Sequence, residues 1–237
     1  MNSIKIAFTG GPCGGKSTSL NYFKEQLKKE NYNIGIVSET ATELLSLGIL
    51  PGNNITLIDF QNLLFKIQFI KEYKKENEKQ ILLCDRGLLD GNVYLENNAF
   101  EKILFDNRIK KDELISTYDG ALYFKTIAND FPEKFKLMRK YETPEVGITR
   151  DRKCYMVWLD KIINDECDNQ NGIEFKRVQL FDYLIKHLDS IDMTKTKTLS
   201  DYYDINHLNF IKNSIDNIFN KSIFSDDQIQ KVRRLTI

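Results

Sequence analysis

The segment GGPCGGKST at residues 10–18 limits the fold of this chain more than any other feature. Its letters fit the spacing G-x-x-x-x-G-K-[ST], with an apolar run, IKIAF, just before it and an amphipathic stretch, Lys16 to about Lys29, after it. A strand, a glycine-rich turn and a helix in this order predict a loop that binds phosphate, because glycine lets backbone amides turn toward an anion at the positive end of the helix. A glycine-rich turn that carries Lys-Ser by chance is the alternative.

Each residue of this loop receives a predicted role. Lys16 is expected to reach the β and γ phosphates of ATP or GTP, and the Ser17 hydroxyl to ligate Mg²⁺. The predicted nucleotide-binding residues are Gly11, Pro12, Cys13, Gly14, Gly15, Lys16, Ser17 and Thr18. Cys13 is either a small filler or a thiol open to modification.

Charge and cysteine content exclude several kinds of partner. The 34 basic and 34 acidic side chains cancel, so no overall field attracts nucleic acid or an anionic membrane. No apolar run approaches the roughly 18 residues of a membrane helix, and we expect a cytoplasmic protein. The four cysteines lack C-x-x-C spacing, which argues against structural zinc.

Short apolar runs alternate with helical patterns along the chain, which predicts an α/β fold with a parallel sheet. We expect a three-layer P-loop NTPase fold of about five strands, kinase-like with a lid. The predicted strands are Ile4–Phe8, Asn33–Ser38, Ile81–Cys84 and Gly120–Lys125, with a fifth, short edge strand expected between the helices at 152–165 and 174–188. The predicted helices cover about residues 16–29, 55–76, 101–116, 152–165, 174–188 and 205–219, besides a short one in ETATELLSL. The predicted units are a nucleotide-binding domain at 1–190, with its lid at about 127–152, and a helical extension at 191–237.

Acidic residues end two of these strands, and parallel strands bring their carboxyl ends to one edge of the sheet. Asp85 is expected to hold Mg²⁺ together with Ser17, and Arg86 to contact a phosphate; a plain turn with a local ion pair is the alternative. Glu39 is a candidate base for an acceptor hydroxyl or a residue of the metal shell, or else a favourable acid in the first turn of a helix.

The predicted lid carries several cations over a short span, of which Arg139 and Arg150 are the candidates for stabilising a transferring phosphoryl group. Solvated surface charges are the alternative. An apolar stripe at about Ile205–Phe219 is expected to pack on its own domain, or otherwise to dock on a larger complex.

Five segments in this order, GGPCGGKST, SETATELLSLG, LCDRGLLDGNVY, YDGALYF and RKYETPE, together with Trp158, resemble the AAA-like P-loop domain family. That family includes NadR-type ribosylnicotinamide kinases and the nucleotide-binding domain of a photoreceptor trafficking protein. The resemblance covers roughly residues 3–188 and implies a kinase-type fold, a Walker B-like acid at Asp85, and a lid containing Arg139, Glu142 and Arg150. Pro12 and Cys13 are closer to the trafficking-type branch, which is associated with GTP and phospholipid binding. We expect no second domain of the kind common in that branch after Asp189.

Two functions therefore stay open. A phosphotransferase would use Mg²⁺ with ATP or GTP and an unknown small-molecule or lipid acceptor. A regulatory module would bind nucleotide and recruit a lipid or protein partner, with slow or no turnover. The chain has no N-K-x-D segment of a switch GTPase and lacks the adjacent acids of a hexameric motor at Asp85. Homo-oligomer formation is left open.

Overall fold

The computed structural model describes residues 3–96, 98–164 and 172–237. Within them, four strands form one parallel sheet in the order β2-β3-β1-β4. The strands are β1 (Ile4–Thr9), β2 (Ile34–Val37), β3 (Ile81–Asp85) and β4 (Gly120–Tyr123). The parallel α/β sheet is confirmed. A fifth strand is not: most of the segment between residues 165 and 174, where the sequence predicts it, lies outside the described residues, and a single bridge joins Ile162 to Ala121 of β4.

Eleven α-helices lie between and after these strands in the described part of the chain. They are α1 (Lys16–Lys29), α2 (Thr40–Ser46), α3 (Leu57–Glu76), α4 (Ala99–Asp106), α5 (Lys111–Ser116), α6 (Pro132–Met138), α7 (Pro144–Trp158), α8 (Gly172–Ser190), α9 (Ile205–Ser214), α10 (Asp216–Phe219) and α11 (Asp226–Arg234). Short 3-10 helices cover Leu88–Tyr94, Leu159–Lys161 and Leu199–Asp201. Each described helix is too short or too polar to span a bilayer.

Alternating strand residues separate the core into two parts, because successive side chains of a strand point to opposite faces of the sheet. Ile6 and Phe8 pack with the apolar side chains of α1 and α8. Ala7 packs on the other face with α3, Trp158 and the C-terminal helices. Helices therefore cover both faces, as the three-layer prediction requires.

Helix boundaries differ from the predicted ones where capping residues act. The predicted helix at 101–116 is two helices, because Arg108 adopts a left-handed conformation (φ 58°) after α4. The helix predicted from Arg152 begins earlier, at Pro144, where Thr143 caps the first turn by accepting a hydrogen bond from the amide of Val146 (3.4 Å).

The C-terminal apolar stripe is buried against α3. Its buried members are Leu208, Ile211, Ile215, Ile218 and Phe219, all within the same core cluster as Phe65 and Phe69. The stripe thus packs on its own chain. Two hydrogen bonds from Gln228 of α11 to the carbonyls of Leu47 and Gly48 also tie the C-terminal region to the loop after α2.

A buried ionic cluster joins β1 to α3. The Lys5 ammonium lies 3.3 Å from a carboxylate oxygen of Glu72 and 3.3 Å from one of Glu76, and all three side chains are at most 1% exposed. The Tyr118 hydroxyl donates to Glu72 (2.7 Å), and Glu76 accepts from the Ser200 amide (3.0 Å). One ammonium balances only one of the two carboxylates, and the donors from Tyr118 and Ser200 help to stabilise the pair, because buried charges need such partners.

Candidate nucleotide-binding site

The loop between β1 and α1 is held close to the end of β4. Gly10 (φ 121°) and Gly15 (φ 89°) take left-handed conformations that favour glycine. A Cβ on Gly10 would lie 2.2 Å from the carbonyl oxygen of Phe124, and one on Gly14 would lie 2.4 Å from it. Larger residues at these positions would collide with Phe124 and displace the loop from the end of β4. The glycines therefore allow the loop conformation in which the amino terminus of α1 points into the site.

Lys16 is folded back onto this loop. Its ammonium donates to the carbonyls of Gly10 (3.0 Å) and Gly11 (2.7 Å), and the residue is 7% exposed. Burial, and next the positive charge of Arg86, lower the pKa of Lys16 to about 8. A phosphate in the loop would offer this ammonium a stronger, charge-assisted acceptor than a carbonyl.

Ser17 and Asp85 meet across the loop. The Ser17 hydroxyl donates to Asp85 Oδ2 (2.8 Å), while Asp85 Oδ1 is buried without a hydrogen-bond partner. Burial raises the pKa of Asp85. The described residues contain no cluster of three His, Cys, Asp or Glu side chains suited to a metal. Mg²⁺ commonly takes one or two protein oxygens and completes its shell with phosphates and water, and the unpartnered carboxylate oxygen fits that demand.

Arg86 and Glu39 form an ion pair beside the loop, with 2.9 Å between Arg86 Nε and Glu39 Oε1. Arg86 adopts a left-handed conformation (φ 71°). Two hydrogen bonds hold this conformation in place: the backbone N–H of Arg86 donates to the Phe8 carbonyl (3.1 Å), and the Gln68 side-chain amide donates to the Arg86 carbonyl (3.1 Å). Burial alone would raise the pKa of Glu39, but Arg86 and a hydrogen bond from Thr42 (2.6 Å) keep that pKa below its usual range. Glu39 is therefore ionised at neutral pH.

One carboxylate binds both predicted lid arginines. Glu142 Oε1 accepts from Arg139 (2.7 Å) and from Arg150 (2.8 Å). The Arg150 guanidinium also lies 5.2 Å from the centre of the Tyr94 ring. These contacts fix α6 and α7 relative to each other and to the 3-10 helix at Leu88–Tyr94.

All the predicted catalytic residues line a single cleft of about 620 Å³. The site residues predicted from the sequence that line this cleft are Pro12, Cys13, Gly14, Gly15, Lys16, Ser17, Thr18, Glu39, Asp85, Arg86, Arg139 and Arg150. Gly11 is not in this lining and instead faces α7. The phosphate loop, the Ser17–Asp85 pair, Glu39 and three arginines thus share one space.

The sequence did not indicate Asp151, which holds the phosphate loop from behind. Asp151 is 5% exposed. Its Oδ1 accepts from the amides of Gly11 (2.6 Å) and Thr126 (3.1 Å), and its Oδ2 accepts from the Tyr123 hydroxyl (2.5 Å). Asp151 stands between Arg150 and Arg152 in the sequence and therefore resembles an ordinary surface charge. The sequence feature that could have indicated it is its position on the buried face of α7.

Two further residues support the site without a sequence signal. Lys176 of α8 donates to the carbonyls of Gly14 (3.3 Å) and Lys125 (3.1 Å). Asp90 accepts from the Thr9 hydroxyl (2.7 Å) and the Trp158 indole (2.8 Å), which ties the end of β1 to α7. Both contacts cross long stretches of sequence and therefore escape pattern analysis.

The cysteines near the site are thiols. Cys13 is half-buried in the loop, and burial raises its pKa, as it does for the buried Cys154. A raised pKa lowers the thiolate fraction, which agrees with Cys13 as a filler. Cys167 lies outside the described residues.

A family model described as an AAA domain matches residues 5–134, more than half of the chain. The chain belongs to this AAA domain family. It is therefore a P-loop protein that binds nucleotide, and the family supports ATP as a ligand. The matched part of the AAA domain includes the phosphate loop, Glu39, Asp85 and Arg86, and it ends before Arg139. The NadR-type resemblance is not confirmed, and no curated protein matches the chain.

Proposed function

We propose that this AAA domain protein is a Mg²⁺-dependent phosphotransferase that moves the terminal phosphoryl group of ATP or GTP to a hydroxyl acceptor. One observation carries the proposal. An ionised carboxylate, Glu39, and a guanidinium, Arg86, are paired at 2.9 Å in the cleft that also contains the phosphate loop. Nucleotide binding alone does not need this pair, whereas transfer to a hydroxyl needs both a proton acceptor and a cation near the transferring group.

The phosphate loop holds the donor. Loop amides and the Lys16 ammonium bind the β and γ phosphates, and Ser17 with Asp85 would hold Mg²⁺. When bound, the metal would supply positive charge that neutralises the phosphates. The hydrogen bonds of Asp151 and Lys176 with the loop keep its amides directed toward the phosphates before the nucleotide binds.

Glu39 receives the acceptor. The Thr42 hydroxyl donates to Glu39 Oε2, and an incoming acceptor hydroxyl takes over that position. The acceptor oxygen then bonds to the γ-phosphorus while the bond from phosphorus to the bridging oxygen breaks, which leaves ADP or GDP. The hydroxyl proton passes to Glu39 and from there to water. A carboxylate with a lowered pKa is ready for this step because it is already deprotonated.

The lid cations stabilise the charge that spreads over the transferring group. Arg86 follows β3, Arg139 follows α6 and Arg150 lies in α7, and all three line the cleft. Guanidinium groups suit this role because they donate in a fixed plane to anionic oxygens.

A second function, a regulatory module that binds nucleotide with little turnover, is favoured by one observation. Glu39 pairs with Arg86, and the single carboxylate of Glu142 is shared by Arg139 and Arg150, so these cations are already partly compensated. A regulatory module would keep these pairs with nucleotide bound, while a phosphotransferase would exchange some of them for phosphate contacts.

Calorimetric titration with Mg-ATP and Mg-GTP, followed by turnover assays with and without nucleosides, sugars and lipids, separates these functions. Acceptor-stimulated turnover supports the phosphotransferase. Tight binding without turnover under any condition supports the regulatory module. Lys16→Ala is expected to abolish nucleotide binding or turnover, and Lys29→Ala, at the exposed end of α1, to change neither. Near-normal affinity and turnover in Lys16→Ala would contradict the proposal.

Glu39→Gln tests the acceptor step. We expect nucleotide affinity to stay within about twofold, because Gln keeps the shape of the side chain, and transfer to slow by about 10²- to 10⁴-fold, because the proton acceptor is lost. Glu25→Gln, on the surface of α1, is the matched control. An unchanged transfer rate would remove Glu39 as the base.

A further inference from the structure

Glu39 and Arg86 lie just past the end of a strand ladder. The pairing of β2 with β3 ends at Val37 and Cys84, and each of the two charged residues follows two positions later in its own segment. Their side chains are joined by one ion pair, at 2.9 Å. Arg86 also departs from strand geometry, with a φ of 71°. The distance between the two groups therefore depends on the contacts that hold these segments beyond the ladder.

Gln68 of α3 bridges the two segments at this point. Its side-chain oxygen accepts a hydrogen bond from the hydroxyl of Thr40 (2.6 Å), which follows Glu39 and begins α2. Its side-chain NH₂ group donates to the backbone carbonyl of Arg86 (3.1 Å). Gln68 is 2% exposed, so water competes little for either bond. One carboxamide thus connects the backbone of Arg86 to the residue next to Glu39.

The neighbours of this carboxamide fix its orientation. The NH₂ group of Gln68 also donates to Glu72 Oε1 (2.9 Å), and a carboxylate only accepts hydrogen bonds. On the other side, the Lys71 ammonium donates to the Thr40 hydroxyl (3.3 Å), so the hydrogen of that hydroxyl is available to Gln68. If the amide were turned over, its oxygen would face two acceptors, the Glu72 carboxylate and the Arg86 carbonyl. Each partner therefore favours the same orientation.

The residue types closest to glutamine cannot replace it at position 68. Leucine has a similar size but no polar atom. Glutamate would place an acceptor against Glu72 and the Arg86 carbonyl, and asparagine is shorter by one methylene group. The three hydrogen bonds of Gln68 therefore depend on a glutamine side chain.

We propose that Gln68 is a positioning residue, which holds Glu39 and Arg86 at the separation that phosphoryl transfer needs. Its hydrogen bonds go to the Arg86 backbone and to Thr40, so it acts through the chain that carries the two reacting groups. Displacement of such a group by about 1 Å can slow a reaction about 10²-fold. The effect on rate rests on the proposed phosphotransferase function, whereas the positioning itself can be measured without turnover.

The NMR signal of the Arg86 Nε–H group measures the positioning directly, because this group donates to Glu39 Oε1. In the wild type we expect a signal that lies downfield of free arginine and exchanges slowly with water. Arg86→Lys assigns the signal by removing it. Gln68→Leu should move the signal toward the position of free arginine or broaden it through faster exchange.

Leu184→Ala is the control for a general loss of stability. Leu184 is buried in the core on the opposite face of the sheet, so its truncation weakens packing there without changing the hydrogen bonds of Gln68. The Arg86 signal should keep its wild-type position in this variant.

Turnover and nucleotide affinity provide the second measurement. In Gln68→Leu we expect the kcat of acceptor-dependent transfer to fall about 10- to 100-fold. The calorimetric affinity for Mg-ATP should stay within about threefold, because the phosphate loop keeps its own contacts, and such binding also shows that the variant folds. Leu184→Ala should keep the wild-type kcat at a temperature at which it is folded.

Thr40→Val tests the bridge from its other end, and it replaces Gln68→Leu if that variant does not fold. It removes the hydroxyl that Gln68 accepts from and keeps the branched shape of the side chain. The two variants remove the same hydrogen bond, so their combined effect on kcat should be smaller than the product of the single effects.

The proposal is overturned if the Arg86 signal is the same in Gln68→Leu, Thr40→Val and the wild type, or if both variants transfer phosphate within twofold of the wild-type rate. The proposed function fails separately. If the wild type transfers phosphate to no acceptor, the phosphotransferase is removed, and the Arg86 signal alone decides whether Gln68 holds the pair.

Discussion

Asp151 is predicted to hold the phosphate loop in its working shape. It accepts hydrogen bonds from the amides of Gly11 and Thr126 and from the Tyr123 hydroxyl, at 2.6, 3.1 and 2.5 Å. Asp151→Ala leaves three donors without this acceptor, and each buried donor costs about 1–3 kcal/mol, so we expect a loss of about 4 kcal/mol in unfolding free energy. For a chain of this size that corresponds to a fall in Tm of about 8–16 °C.

Asp151→Asn separates charge from shape. The amide oxygen can still face the two backbone donors, and its NH₂ group can donate to the Tyr123 oxygen, so only the charge assistance is lost. We expect a cost of about 2 kcal/mol and a fall in Tm of about 4–8 °C. Mg-ATP should also bind several-fold more weakly, because the amide of Gly11 is held less firmly.

Thermal unfolding by circular dichroism and calorimetric titration with Mg-ATP measure both effects. Asp160→Asn, an exposed acid nearby in sequence, is the control and should stay within about 0.5 kcal/mol of the wild type. If Asp151→Ala unfolds within about 2 °C of the wild type, the three hydrogen bonds do not support the loop and the reasoning fails.

Two further predictions concern charge. Burial lowers the pKa of Lys66 to about 8, so the folded chain releases this proton before the unfolded chain does, and stability should rise by about 1 kcal/mol from pH 7 to pH 9 through this residue. Urea unfolding at pH 7 and pH 9 should show this rise in the free energy of unfolding in the wild type, and a rise smaller by about 1 kcal/mol in Lys66→Met. The same rise in both proteins would show that Lys66 does not cause it. Glu142→Gln should free Arg139 and Arg150 and strengthen Mg-ATP binding several-fold at low salt, with a smaller gain at high salt. Glu133→Gln, which breaks an exposed pair with Lys136, should have no such effect in the same titration.

Local patterns predicted the elements whose causes are local. The phosphate loop, α1 and the long helix α3 follow from spacing, apolar period and capping, and the structure has them close to their predicted bounds. The order of the strands does not follow from such patterns, since β1 pairs with strands that come much later in the chain. Most of the segment where a fifth strand is expected lies outside the described residues, and the described part has one bridge, at Ile162.

The candidate site divides in the same way. Glu39, Asp85 and Arg86 could be named because each follows a predicted strand, and parallel strands end at one edge. Asp151 and Lys176 could not, because their importance depends on contacts with residues 25 to 162 positions away in the sequence. A sequence pattern contains no information of this kind.

The ionic cluster of Lys5, Glu72 and Glu76 determines the rotation of α3 about its own axis. Side chains on nearly every side of this helix are buried, so apolar burial alone would tolerate several rotational settings. A turn of the helix would separate two buried carboxylates from their ammonium, and an unpaired buried charge costs several kcal/mol, about as much as the stability of many domains. The setting that keeps the cluster intact is also the one that presents Gln61 and Gln68 to the cleft. The charge cluster, although remote from the phosphate loop, thereby fixes which residues of α3 face the cleft. If apolar residues replaced Lys5, Glu72 and Glu76, we would expect the fold to be kept and the rotational setting of α3 to be lost.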